Sequence, residues 1–192
     1  MSKIEIVNRA LMKLGEPPIS SLNDVVFGKS YDVIYNDMRK LLLSTYPWRF
    51  AVEVAQLNRL EEKKGNKFLY VMPNDCLLLL RVMQGEGDNL LEGYELKYDV
   101  MGKCIACEVN DYLRIEYVKD VDAQLFSPLF REALASKLAA EFAMRIKNSM
   151  ELKQVLDNEF YMLIKNAELN NEIVKNVETI SDSSWVLVRQ AW

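Results

Sequence analysis

F-S-P-L-F-R-E-A-L-A-S-K-L-A-A-E-F-A-M-R-I-K, residues 126–147, is the stretch from which the rest of the chain is read. Ser127 is a good helix N-cap, and Pro128 at the first helical position sacrifices no hydrogen bond, because that N–H has no intrahelical partner anyway. Phe130, Ala133, Leu134, Leu138, Phe142 and Ile146 then recur at the three-four spacing of one helix face, with Ala139 on its flank. Glu132 near the start and Arg145 and Lys147 near the end suit the helix dipole. Ala135, Ala139, Ala140 and Ala143 let a neighbouring helix come close. The spacing predicts a central packing helix without chemistry of its own.

Outward from it, Ser149 caps a further helix whose face is read as Leu152, Val155, Leu156, Leu163, Ile164 and Ala167, with Phe160 at the flank. Asn170-Asn171 weakens it, so helicity is expected to end near Lys175. Residues 176–192 then read as a polar linker and an extended tail ending in large apolar groups. At the other end, Ser2 and Glu5 make an S-x-x-E capping box. Ile4, Val7, Ala10, Leu11 and Leu14 form the face of a first helix that Gly15 stops. A second helix is predicted over Val25 to Thr45, with Phe27, Tyr31, Ile34, Tyr35, Met38, Leu41, Leu42 and Thr45 on its face. The aromatic cluster Tyr46-Pro47-Trp48-Arg49-Phe50 closes it and reads best as a core plug.

Between the helices the period changes to two. Strands are predicted near 52–57, 67–72, 77–83, 94–100, 104–109 and 112–118, with Glu61 to Asn66 as a charged turn. The expected fold is α+β: a four-helix bundle interrupted by a small antiparallel β module, with an extended C-terminal tail. The domains are 1–50 with 122–175 (helical, discontinuous), 51–121 (β insertion) and 176–192 (docking tail).

Composition removes whole classes of function. With 192 residues, half of them hydrophobic, the chain can fold around a substantial core. The longest wholly apolar run, Cys76 to Leu80, is far too short to span a membrane. No signal-peptide core opens the chain, and three cysteines suit a reducing compartment better than a disulfide framework. There is no histidine, which eliminates Ser-His-Asp and Cys-His catalysis and histidine metal sites within one chain. Cys104-x-x-Cys107 has zinc-knuckle spacing, but no second pair exists, and residues three apart on a strand face opposite ways. Gly85-x-Gly87 lacks the rest of a dinucleotide fingerprint. No carboxylate pair stands out as a catalytic couple. No cofactor or metal is expected, and the chain is read as a non-enzyme.

The tail is different. Trp185, Val188 and Trp192 fall at i, i+3 and i+7, so as a helix they form one apolar ridge, with Arg189 beside it. Tryptophan and arginine are frequent interface anchors, and the ridge reads as an element that docks on its own bundle or on a partner.

Together these segments resemble the tail tubular protein A and related head–tail adaptors of short-tailed bacteriophages and prophages. The carriers are I-V-N-R-A-L-M-K-L-G-E-P-P-I-S-S-L-N-D at the start, Pro47-Trp48-Arg49-Phe50, and Tyr70-Val71-Met72-Pro73-Asn74-Asp75-Cys76-Leu77. They continue in Phe126 through Leu134, the alanine-rich run to Ala143, and Ser183-Ser184-Trp185, in order along nearly the whole chain. The Glu61 to Asn66 loop and the Gly85 to Asp88 turn have no counterpart. The resemblance implies a structural virion protein found in the host cytoplasm during assembly and then in the virion tail. It forms a ring with copies of itself, dodecameric in the virion and monomeric before assembly. The ring sits under the portal protein, extends the DNA channel without sequence-specific binding, and carries the next, nozzle-type tail protein; no membrane is involved. Trp185, Val188, Arg189 and Trp192 are then the portal-binding residues, and Trp48, Phe50, Tyr94 and Tyr98 are candidate contacts to neighbouring copies or a tail protein. The alternatives are a virion-associated carboxylate hydrolase and a small binding module that uses its sheet.

Overall fold

The computed structural model describes residues 2–26, 29–84, 98–108, 110 and 112–188, with side chains at these positions other than 25, 26, 29 and 174–188. The chain divides into two units. The helical unit comprises Met1–Leu42, Trp48–Phe50 and Asp122–Trp192, and the β unit Leu43–Pro47 and Ala51–Val121.

In the helical unit, α1 (Lys3–Lys13) opens with the Ser2 backbone N–H donating to Glu5 Oε2 at 2.5 Å. It buries Ile6, Val7, Ala10 and Leu11 and is followed by Gly15 at a φ of +68°, where glycine is favoured. A two-strand ladder, β1 (Val25–Val26) and β2 (Lys29–Ser30), precedes α2 (Tyr31–Leu43). The second helix therefore starts later than its apolar pattern suggests, and the predicted face residue Phe27 lies outside the described residues. Tyr31, Ile34, Tyr35 and Leu42 are buried, whereas Leu41 is exposed.

The centre of the unit is α3 (Pro128–Phe142). Phe130 N–H donates to the Ser127 side chain at 3.3 Å, so the cap read from the sequence is made. The helix ends in a π turn over Ala143–Lys147, and Asn148 follows at a φ of 48°, a left-handed conformation that asparagine tolerates better than most residues. Ser149 then caps α4 (Met150–Val188) by accepting from the Leu152 N–H at 3.2 Å.

The expected four-helix bundle is not what forms. A bundle helix buries one stripe against a shared axis, but α3 is buried all round. Ala135, Ser136 and Ala140, off the predicted face, are as fully enclosed as Phe130, Leu134 and Leu138. It packs closely along α1 and α4, and the small residues permit that approach. Ion pairs edge these contacts: Arg9 to Glu132 at 2.5 Å and Lys137 to Asp157 at 3.0 Å. The α2 backbone does not join this close packing, and its Tyr31 instead meets Phe142 edge-on, ring centroids 5.3 Å apart. Alanines carry little weight in a hydrophobic pattern, which is why the sequence shows one face where the structure buries several.

The extended tail is also overturned: α4 is helical through 39 residues to Val188. No proline or glycine lies between 150 and 188 to stop it. Asn170-Asn171 does not end it because two asparagines cost only on the order of 1 kcal/mol against alanine. Asn171 is also anchored, its Oδ1 accepting from the Arg49 backbone N–H at 3.0 Å.

The β unit is one curled antiparallel half-barrel sheet of six strands. They are β3 (Val52–Lys64), β4 (Lys67–Val71), β5 (Cys76–Gln84), β6 (Tyr98–Met101), β7 (Cys104–Cys107) and β8 (Leu113–Lys119), in the order β5-β8-β3-β4-β7-β6. The strand β3 changes partner along its length. Val52 to Leu57 pair with β8, and Asn58 to Lys64 pair with β4 through an irregularity between Arg59 and Lys63. Glu61 to Asn66 is thus mostly strand, and the turn is only Gly65-Asn66, where Gly65 at a φ of +62° fits the first position of a two-residue hairpin loop. Leu57, Tyr70, Ile105, Cys107, Leu113, Ile115 and Tyr117 form the core on one face. Leu77 to Met83, read as a buried strand, belongs to the edge strand β5 and is half-buried apart from exposed Arg81.

Candidate functional site

The long helix α4 has two unlike faces. Leu156, Phe160, Ile164 and Ala167 are buried in the helical unit. Charges flank that seam: Asp157 accepts from Lys137 at 3.0 Å and Lys153 at 2.6 Å, and Glu159 from Lys13 at 2.6 Å. On the outer side Val155, Met162 and Leu169 follow at intervals of seven, and Ile173 lies one turn further on. All four are 58–65% exposed. Their exposed neighbours Gln154, Asn158, Asn166 and Asn170 are uncharged, and Lys165 is turned to Glu168 at 2.9 Å. Glu151 and Glu172 are also exposed beside this apolar stripe, which the sequence reading does not anticipate, because it puts Val155 on the buried face. The seven-residue interval was the available signal, and only the observed direction of burial shows that the stripe faces outward.

Length is the second feature. At 1.5 Å per residue, the 39 residues of α4 span about 58 Å, against about 22 Å for the 15 residues of α3. Ala167 is the last described buried position on α4. Helix continues for 21 residues beyond it, about 30 Å, to Val188.

Of the predicted docking residues, Trp185 and Val188 lie within this helical extension. Arg189 and Trp192 lie outside the described residues, as does Tyr94. Trp48 is 1% exposed, with its Nε1–H donating to the Leu42 carbonyl at 3.0 Å. Its ring meets Phe130 edge-on at 5.0 Å and stacks on Phe50 at 6.0 Å, while Phe50 lies 5.6 Å from Phe126. This cluster plugs the helical core. Tyr98 sits on the edge strand β6 and is 40% exposed. Trp48 and Phe50 belong to the helical unit and Tyr98 to the β unit.

Cys104 and Cys107 stand at opposite ends of β7, paired with Val71 and Phe68 respectively. Burial raises the Cys76 thiol above its ordinary range, and nearby Asp75 adds to this, so it is a weak thiolate donor. Among the described residues no group of three or more Cys, Asp or Glu side chains is placed to hold a metal ion. Among the described residues no helix is long and apolar enough to cross a membrane. No family model matches the chain, and no curated protein matches it.

Proposed function

We propose that the chain is a structural head–tail adaptor of a short-tailed phage or prophage, which assembles as a ring beneath a portal and receives the next tail protein. The observation that carries this reading is the continuous α4, which brings Trp185 and Val188 about 30 Å beyond the last described buried position on the helix. A helix of that form suits an element that reaches into a groove of another protein, where large apolar side chains are the usual anchors. The ordered sequence resemblance supports the same reading. A net charge of −4 suits a channel through which DNA slides, since like charge avoids sticking.

The mechanism is surface burial. Two indoles docked in portal pockets supply about 2 kcal/mol or more each, and ring symmetry multiplies weak contacts through avidity. A free copy gains no such help, so it stays monomeric until the portal supplies a template.

The test is mass by light scattering, with and without the cognate portal ring. A monomer that becomes a closed ring only on the portal is the expected result. Trp185→Ala combined with Trp192→Ala should keep the circular-dichroism spectrum and melting temperature but abolish attachment. Failure of the wild-type chain to associate with the portal under any salt condition would sink the reading.

A further inference from the structure

The hairpin of β3 and β4 carries an arrangement that the adaptor reading does not use. Lys63 pairs with Phe68 across the ladder, and Arg59 with Tyr70. Cross-strand partners share a face, and so do residues two apart on a strand. Tyr70 belongs to the core of the sheet, so Arg59, Lys63 and Phe68 all lie on the core-bearing face, at the end where it opens to solvent. Lys63 Nζ is 4.2 Å from the Phe68 ring centroid and Arg59 Cζ is 5.4 Å from it. The same row continues through Cys107, paired with Phe68, to Tyr98, paired with Cys107 and 40% exposed. Lys67, one residue from Phe68, faces the other way and is paired with Asp99 at 2.5 Å.

Charge on an open strand edge ordinarily keeps it from pairing with other chains. That role asks nothing of direction, whereas here two cations lie over one ring. A cation–π contact holds a side chain through the ring quadrupole and leaves its N–H donors unused. Arg59 gives one N–H to Asn110 Oδ1, which fixes the guanidinium further and leaves others available. The result is a pair of ordered cations with donors to spare over the half-buried Phe68 ring, in a row that ends at the exposed Tyr98. Residues 58–68 hold four cations against two carboxylates, Glu61 and Glu62, in a chain whose net charge is −4. Cations for phosphates and a flat ring for a base are the components of a sequence-tolerant nucleic-acid contact.

We propose that this end of the sheet binds the phosphodiester backbone of nucleic acid, with Lys63 and Arg59 donating to phosphate oxygens and Phe68 ordering both. The proposal goes beyond the adaptor reading and does not depend on it, because the site lies within the β unit and needs no portal.

The experiment is fluorescence anisotropy of the full chain with a labelled single-stranded and a labelled duplex oligonucleotide, from about 20 to 200 mM salt. Arg59→Gln with Lys63→Gln should weaken binding and reduce the salt slope by about one per lost cation. Phe68→Leu keeps the charge, so it should weaken binding several-fold at an unchanged slope. Circular dichroism confirms that each variant folds; if Phe68→Leu does not, the double glutamine variant, at two exposed positions, decides alone. Lys3→Gln with Lys165→Gln removes the same charge from the helical unit and should leave binding as it is. Stronger binding of the single strand would place a base on Tyr98, and equal binding would leave phosphate as the whole ligand. The proposal is overturned if the wild-type chain binds neither oligonucleotide at 20 mM salt, if Arg59 and Lys63 are dispensable, or if the Lys3 and Lys165 pair matters equally. Portal association is measured separately, so either result leaves the adaptor reading to its own test.

Discussion

The Asn8 side chain holds both backbone polar groups of Ile19. The Ile19 N–H donates to Asn8 Oδ1 at 2.8 Å, and Asn8 Nδ2 donates to the Ile19 carbonyl at 3.1 Å. One carboxamide thus substitutes for a strand partner and fastens the segment after Pro17-Pro18 back onto α1. Asn8→Ala leaves both backbone groups without that partner and should cost about 1–3 kcal/mol in urea unfolding. Asn8→Asp keeps the acceptor but sets a carboxylate against the Ile19 carbonyl, so it should not restore stability. An alanine variant with the wild-type midpoint would show that water replaces the clamp at no cost.

The all-round burial of α3 makes its small residues as sensitive as its large ones. Ala139 is wholly enclosed, and a leucine there has no volume to occupy. Ala139→Leu should destabilise by about 1–3 kcal/mol through forced separation of packed elements. Phe130→Ala should cost about 3–5 kcal/mol through the cavity it leaves. Thermal unfolding of the two variants measures this, and a neutral Ala139→Leu would mean that α3 has a free side.

Asp157 gives the helical unit an acid-sensitive contact. Burial pushes its carboxyl up, but hydrogen bonds from Lys153 and Lys137 outweigh that and hold it below the ordinary aspartate range. A carboxylate depressed in the fold stabilises above its unfolded pKa, about 3.9, and loses that contribution as pH falls through the lower folded value. Asp157→Asn should therefore be less stable than wild type at pH 7, by about 1 kcal/mol or less for so accessible a pair. The gap should close only below about pH 4. Urea titrations of both proteins across pH 2–7 test this, and a gap independent of pH would assign the effect to packing.

Asn171 ties α4 to the segment that follows α2. Asn171→Leu removes the acceptor for the Arg49 N–H and should raise amide exchange at Arg49 while costing about 1 kcal/mol. Unchanged exchange at that amide would mean that the helix is held by Leu156, Phe160 and Ile164 alone.

These contacts also indicate where reading residues in order succeeds. The Ser127 cap, the Gly15 stop and the strands read at 67–72, 77–83 and 112–118 depend on local rules, and the structure places them close to where those rules do. The sequence pattern puts Val155 and Leu41 on buried faces because a helical period shows that faces exist but not which of two will be covered. Glu61 to Asn66 reads as a turn because lysine and glutamate are poor strand formers, yet pairing with β4 carries the strand on to Lys64. The sequence pattern ends α4 near Lys175 because Asn170-Asn171 suggests a break unless the partner of Asn171, the Arg49 N–H, is known to be there. The candidate site divides in the same way: Trp185 and Val188 stand out in the sequence, whereas the outward stripe and the Phe68 cations depend on long-range pairing.

The two-part helical unit has a consequence for how the chain is made. Lys13 ends α1, but α3, on which α1 packs, is complete only at Phe142. At about 5–20 residues per second a ribosome needs roughly 6–26 s to bridge that gap. For that interval Ile6, Val7, Ala10 and Leu11 lack their cover, and every residue of the six-stranded sheet is synthesised within it. The helical unit is therefore completed after the sheet, and α1 is the element whose apolar face most needs a chaperone meanwhile.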